Sequence, residues 1–232
     1  MQLIINTPEK IVIRVLANEP LFNALRRSIH EINTLAVDEV EFFKNDSALY
    51  DEMLALRIGL VPLVTEKKMN AKTEVELKLV KKGPGIVYSG DLKGSADVVH
   101  KNIPLVLLEN EQEIELVATA RLGKGIDHAK YIPGLGYYRH LVQISSKDAK
   151  IESLVHSAKG YLKAEKNKEG FLCDLPEGVV EEISRIDKEA INETDEIIFV
   201  IESYGVMSAS EILVNSIHAL GENLAEFEEA LK

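Results

Sequence analysis

The chain has 232 residues, 46% of them apolar and 28% charged, which places it with soluble globular proteins and gives it enough length to bury a sizeable core. It carries 27 Lys+Arg against 38 Asp+Glu, a net charge of −11, which argues against a surface built to grip a phosphate backbone. A single cysteine, Cys173, excludes an internal disulfide and an all-cysteine metal site. The longest apolar runs, such as Ile197–Ile201, fall far short of the roughly 18 residues a membrane span needs. A soluble, cytoplasmic chain with no membrane partner is expected.

The N-terminus alternates as strands do, over Leu3–Ile5 and again at Ile11, Ile13 and Val15. Asn18 and Pro20 signal the start of a helix whose apolar stripe is Leu21, Phe22, Leu25, Ile29 and Ile32. Arg26 and Arg27 sit side by side on it, either as a solvated face or as guanidinium forks for a protein partner. Leu35–Phe43 reads as a strand.

The middle of the chain is mostly β. Val75, Leu77 and Leu79 alternate with charged residues, as do Ile114, Leu116, Ala118 and Ala120, and Tyr137–Ile144 is a further strand. The connection from Gly123 to Pro133 holds glycines, two lysines and an Asp127-His128 pair. Its spacing matches neither a Walker loop nor a dinucleotide fingerprint, and adjacent residues rarely point at one another. A protein-contact loop is the better reading, with a small enzyme built on Asp127 and His128 as the alternative. The six histidines show no metal-ligand spacing, and no nucleophile elbow is present. A nucleic-acid-binding module is a third reading that the acidity disfavours.

From Ser145 to Thr194 the pattern weakens, with a short helix expected near Val179–Arg185. Glu196–Ser203 is an apolar strand of the kind buried on both faces. Ser208 and Glu211 fit a capping box at the start of the last helix. Along it Leu213, Ile217, Leu220, Leu224, Phe227 and Leu231 recur at spacings of 4, 3, 4, 3 and 4, a heptad seam on a helix of about 35 Å. That seam packs either on its own sheet or on a partner helix. Residues 195–232 hold eight acids and one base, so −7 of the −11 lies in this last stretch.

The strings Phe22-Asn23-Ala24-Leu25-Arg26-Arg27, Leu35-Ala36-Val37-Asp38-Glu39-Val40-Glu41 and Asp51 through Leu63 resemble the alpha-like subunit family of DNA-directed RNA polymerase, in its archaeal form. So do His128-Ala129-Lys130-Tyr131-x-Pro133 and Ile201-Glu202-Ser203-x-Gly205. The resemblance covers roughly residues 1–145 and 195–232. It implies an α+β fold in which a discontinuous dimerisation domain, a sheet plus two helices (1–42 and 195–232), is interrupted by a mostly β insert domain (43–144) and a small module (145–194). It implies a non-catalytic assembly subunit that pairs with the smaller subunit L. Leu21, Leu25, Ile29, Leu213, Ile217, Leu220, Leu224, Phe227 and Leu231 would form that interface. Arg26, Arg27, Arg57, His128 and Lys130 would dock the two largest subunits; small adaptor subunits are further expected partners, with DNA met only through the complex.

The chain departs from the family's pattern in three places. Ile32-Asn33-Thr34 stands where relatives often have a proline, and Leu56 where many have His. Some relatives hold an iron–sulfur cluster in the stretch matching Ser145–Thr194. Cys173 alone cannot supply the three or four thiolates a cubane generally needs, so no cluster and no other cofactor is expected.

Overall fold

The structure, a computed structural model, describes residues 1–16, 19–70 and 72–232. Asn18, expected to open the first helix, lies outside the described residues. The elements in order are β1 (Gln2–Asn6), β2 (Lys10–Leu16), α1 (Glu19–Ser28), β3 (Thr34–Asn45), α2 (Asp51–Gly59), β4 (Glu74–Lys82), β5 (Gly85–Tyr88), β6 (Lys93–Gly94) and β7 (Pro104–Leu108). There follow β8 (Glu113–Gly123), β9 (Gly134–Ile144), α3 (Ala149–Ser157), β10 (Glu165–Asn167), β11 (Gly170–Cys173), α4 (Glu177–Ile186), β12 (Ile191–Ser203) and α5 (Ala209–Ala230).

Two larger sheets organise the chain. One has the order β1-β2-β12-β9-β11-β10 and draws on both ends of the sequence; the other, β3-β8-β4-β6, comes from the middle, beside a two-stranded β5-β7 sheet. The α+β class with an insert interrupting a discontinuous sheet-and-helix unit is therefore the observed architecture. β12 lies at the centre of the first sheet, between β2 and β9, and Ile197 through Ile201 are buried on both faces of it. That is why its sequence reads as an unbroken apolar run.

The expected boundaries shift. β3, placed partly in the first domain, pairs along its length with β8 in the middle sheet. β9, placed in the insert, pairs with β12 from Ile191↔Ile144 to Ser203↔Gly134, interrupted by a bulge. The 145–194 stretch has its own apolar cluster around Ile151, Val155, Phe171, Leu175 and Ile183. Val142 and Ile144 of β9 complete that cluster, and β11 and β10 extend the first sheet. The stretch is an annex of that sheet rather than a separate unit.

On one face of the first sheet, α1 and α5 pack on each other and on β12. Phe22 meets Phe199 edge to face at 5.2 Å, a contact of about 0.5–1.5 kcal/mol beyond its buried area. Leu25 and Ile29, expected at a partner interface, are only 7% and 1% exposed inside this same core. They are anchors of the chain's own fold, because the apolar stripe of α1 is the face that the sheet covers.

The insert is joined to α5 through a short segment. Thr65 N–H donates to Val206 O at 2.8 Å, and Lys67 Nζ lies 2.9 Å from Glu211 Oε1. Gly205 adopts φ +89°, and a Cβ there would come within 2.4 Å of Val99, so the tight approach of insert and helix requires glycine. At the helix start Ser208 Oγ accepts from Glu211 N–H, and the Glu211 carboxylate accepts from Ser208 N–H at 3.1 Å, the capping box read from the sequence.

Lys67, then the Ser208 hydroxyl and backbone N–H, hold the Glu211 carboxyl down at about 2 against an ordinary 4.5. A depressed folded value stabilises above the unfolded value and is lost as pH falls through the folded one. Between pH 4.5 and 2 the amides of the first turn of α5 are therefore expected to lose exchange protection. Glu211→Gln should be less protected than the wild type at pH 5 and equal to it near pH 2. A difference that persists at pH 2 would place the effect in packing rather than charge.

Candidate partner-docking surfaces

α5 runs about 33 Å over its 22 residues and has two distinct sides. Ala209, Ile212, Ser216 and Ala219 are buried against the sheet. The heptad seam lies on another side: Leu213 and Leu220 are half-buried, while Ile217, Leu224, Phe227 and Leu231 are 51%, 60%, 64% and 72% exposed. From Gly221 onward every residue of the helix is exposed, so its last two and a half turns are buried by no part of the described chain. Leu21 of α1 is also half exposed. Four large side chains at a and d spacing in water form an apolar stripe, the kind of patch that contact surfaces use.

The polar candidates differ in how far they are engaged. Arg27 is exposed and makes no ion pair or side-chain hydrogen bond among the described residues. Arg26 donates to Asn23 Oδ1 at 2.9 Å, one turn away. Arg57, at the end of α2, donates to Pro104 O at 2.7 Å and so fastens that helix to β7.

His128 and Lys130 belong to the connection between β8 and β9. His128 Nδ1 accepts from Lys130 N–H at 3.1 Å and caps a short 3-10 turn over Ala129–Tyr131. Lys130 Nζ lies 2.9 Å from Asp38 Oδ1, and Tyr131 OH donates to the same oxygen at 3.1 Å. Arg121 joins Asp38, Glu39 and Glu74. The Lys130 ammonium, ahead of the Tyr131 hydroxyl and Arg121, holds the Asp38 carboxyl below its usual range. Burial pushes the Tyr131 hydroxyl up. Gly123 gives this ring room, since a Cβ there would lie 2.5 Å from it.

This network joins the Asp38 string to the His128–Pro133 string in space, although more than 80 residues separate them. Sequence reasoning named both strings but not their contact. It also missed a cavity of about 210 Å³ between them and α2, lined by Val37, Leu56, Leu60 and His128 among others. The Asp127-His128 dyad does not form, because His128 is committed to its own turn. Among the described residues no cluster of three or more His, Cys, Asp or Glu is placed to hold a metal, and no buried polar side-chain atom lacks a partner.

A family model described as the RNA polymerase Rpb3/RpoA insert domain matches residues 30–134, a range that ends where β9 begins. The chain is 40% identical over 210 residues to the DNA-directed RNA polymerase subunit Rpo3 of Pyrococcus horikoshii, covering 82% of this chain and 81% of that one. The chain belongs to the archaeal Rpo3 family of DNA-directed RNA polymerase subunits. Rpo3 of Natronomonas pharaonis is 34% identical over 218 residues, 90% of this chain and 87% of the relative. The match to Thermococcus kodakarensis Rpo3 is 49% identical but spans 56% of this chain and 54% of that protein. The alpha-like family expected from the sequence is the one found, and Rpo3 is the name these archaeal relatives carry. Among the described residues no helix is long and apolar enough to cross a membrane.

In the annex of this Rpo3-family chain, Cys173 is 2% exposed, among Val142, Val155 and Phe171. Its thiol donates to Phe171 O, and burial, then the nearby Asp174 charge, pushes it up to about 12. Such a thiol is a poor metal ligand, since the ligating form is the thiolate.

Proposed function

We propose that the chain is a non-catalytic assembly subunit of the polymerase. It pairs with the smaller alpha-like subunit L through the outward seam of α5 and docks the two largest subunits and small adaptor subunits through its remaining surfaces. The observation that carries this reading is the exposed stripe Ile217, Leu224, Phe227 and Leu231 on a helix end that the chain itself leaves uncovered. Apolar anchors in the centre with charge at the rim are what a stable interface uses. Leu21 and the half-buried Leu213 and Leu220 extend the stripe, whereas Leu25 and Ile29 lie in the chain's own core.

Arg27, unpaired among the described residues, offers its guanidinium to a large-subunit carboxylate, and Arg57, His128 and Lys130 shape the surface around α2. Chemistry on nucleotides is left to other subunits of the polymerase. DNA is met only through the complex. The annex is held by its apolar cluster and not by an iron–sulfur cluster, because its donor set is one buried thiol where three or four thiolates are required.

Light scattering on size-exclusion fractions of the chain alone and co-expressed with subunit L tests the pairing. A 1:1 complex is expected, with Arg27→Ala retaining it and losing only recruitment of the second-largest subunit. A lone chain that stays monomeric and ignores subunit L would end the assembly reading.

A further inference from the structure

A second surface of α5 lies roughly 150° around the helix from the heptad seam, counting 100° per residue. There the helix, the 65–69 segment and the turn after α1 enclose an open groove of about 510 Å³. Ile32, Met69, Leu122 and Val214 give it an apolar lining, and Val214 is half exposed. Glu31, Glu66 and Glu222 stand along it.

The groove's cationic lining is already spent. Lys67 is paired with Glu211, while Lys124 and Lys68 from outside the groove offset Glu31 and Glu66 at 3.5 Å and 2.7 Å. Glu222 has no ion pair among the described residues. Glu226 and Glu229, also exposed and without one, continue the negative stripe along the same side of α5. An apolar trough that leads into an unneutralised carboxylate stripe is complementary to one kind of occupant: aliphatic side chains interspersed with Lys or Arg. A phosphate backbone would be repelled here.

We propose that this groove docks a basic, aliphatic-anchored segment of a further polypeptide of the assembly, at the same time as the seam holds the pairing subunit. The proposal rests on the assembly reading for the presence of that neighbour, but the two surfaces share no residue. The probe is a fluorescent hexapeptide, Lys-Leu-Lys-Lys-Leu-Lys, titrated into the full chain by anisotropy, with hexalysine as the control.

The leucine peptide is expected to bind at least about tenfold more tightly than hexalysine. Glu222→Lys and Val214→Lys should each weaken it about tenfold, since each sets a positive charge against the basic peptide. Both positions are exposed, so unchanged urea midpoints will show that the fold is kept. Failure of the leucine peptide to bind, equal binding of hexalysine, or indifference to both substitutions would overturn the proposal. Pairing with subunit L is read separately by light scattering. A peptide result that fails while pairing holds sinks the groove alone, and the converse sinks the pairing reading.

Discussion

Phe227→Asp is expected to abolish pairing with subunit L while leaving the lone chain as stable as the wild type. Phe227 is 64% exposed and lies in the stretch of α5 where every residue is exposed, so the substitution disturbs no buried part of the fold. Exposed substitutions of this kind usually change stability by within about 0.5 kcal/mol. In the paired state the same residue would be a central aromatic anchor. Losing such an anchor typically costs about 2–4 kcal/mol, and here the loss is compounded by burying an unpaired carboxylate. A fall in affinity of at least about thirtyfold follows, since 1.4 kcal/mol is tenfold. Sedimentation of the pair and urea denaturation of the lone chain measure the two quantities separately. Undiminished pairing would show that the stripe is not the interface. Leu220→Asp is the less informative variant, because Leu220 also packs against the Phe22–Phe199 core, and a loss of pairing there could come from the fold.

The contrast between Leu220 and Phe227 shows what the sequence revealed of α5 and what it hid. The 4-3-4-3-4 seam announced itself through large residues. The face that fastens the helix to its own sheet is made of Ala209, Ile212, Ser216 and Ala219, mostly small side chains that let the backbone approach closely and leave little mark on a hydrophobic pattern. On α1 the opposite holds: Leu25 and Ile29 are the obvious stripe and are wholly consumed by the core. Periodicity tells which side of a helix is apolar, not what covers it.

The strands follow the same logic. Alternation located β4, β8 and β9, but β9 pairs with β12, 47 to 69 residues away, and only pairing could move it out of the insert. In the annex, β10 and β11 have 3 and 4 residues, too short for any period to register. For the connection between β8 and β9, the sequence supplied Asp38 and Lys130 as members of separate strings, and the 2.9 Å contact between them is a product of folding.

The second large effect is expected at the joint between the annex and the first sheet. The Asp174 side chain is fully buried, and Arg139 on β9 donates to both its oxygens through Nε and Nη2, the second at 2.9 Å. Asp174 also accepts from Tyr161 N–H, and the Arg139 guanidinium lies 5.4 Å from the Tyr161 ring centre. One carboxylate thus holds the turn leading into β10 against the sheet. Arg139→Leu strips that carboxylate of its counter-charge without opening it to water. Breaking one side of a buried pair costs about 3–5 kcal/mol, a large share of a domain's usual stability of about 5–15 kcal/mol.

Arg139→Leu combined with Asp174→Leu should recover part of the loss, because no charge is then left unpaired. The recovery is incomplete, since Tyr161 N–H loses its acceptor at a cost of about 1–3 kcal/mol. Urea denaturation of the two single variants and the double variant gives the coupling directly. Additive single effects below about 1 kcal/mol would mean that water screens the pair as it screens surface bridges, and that the apolar cluster around Ile151, Phe171 and Ile183 holds the annex unaided. A strong coupling would instead make Arg139 and Asp174 the electrostatic fastening of the annex to the first sheet.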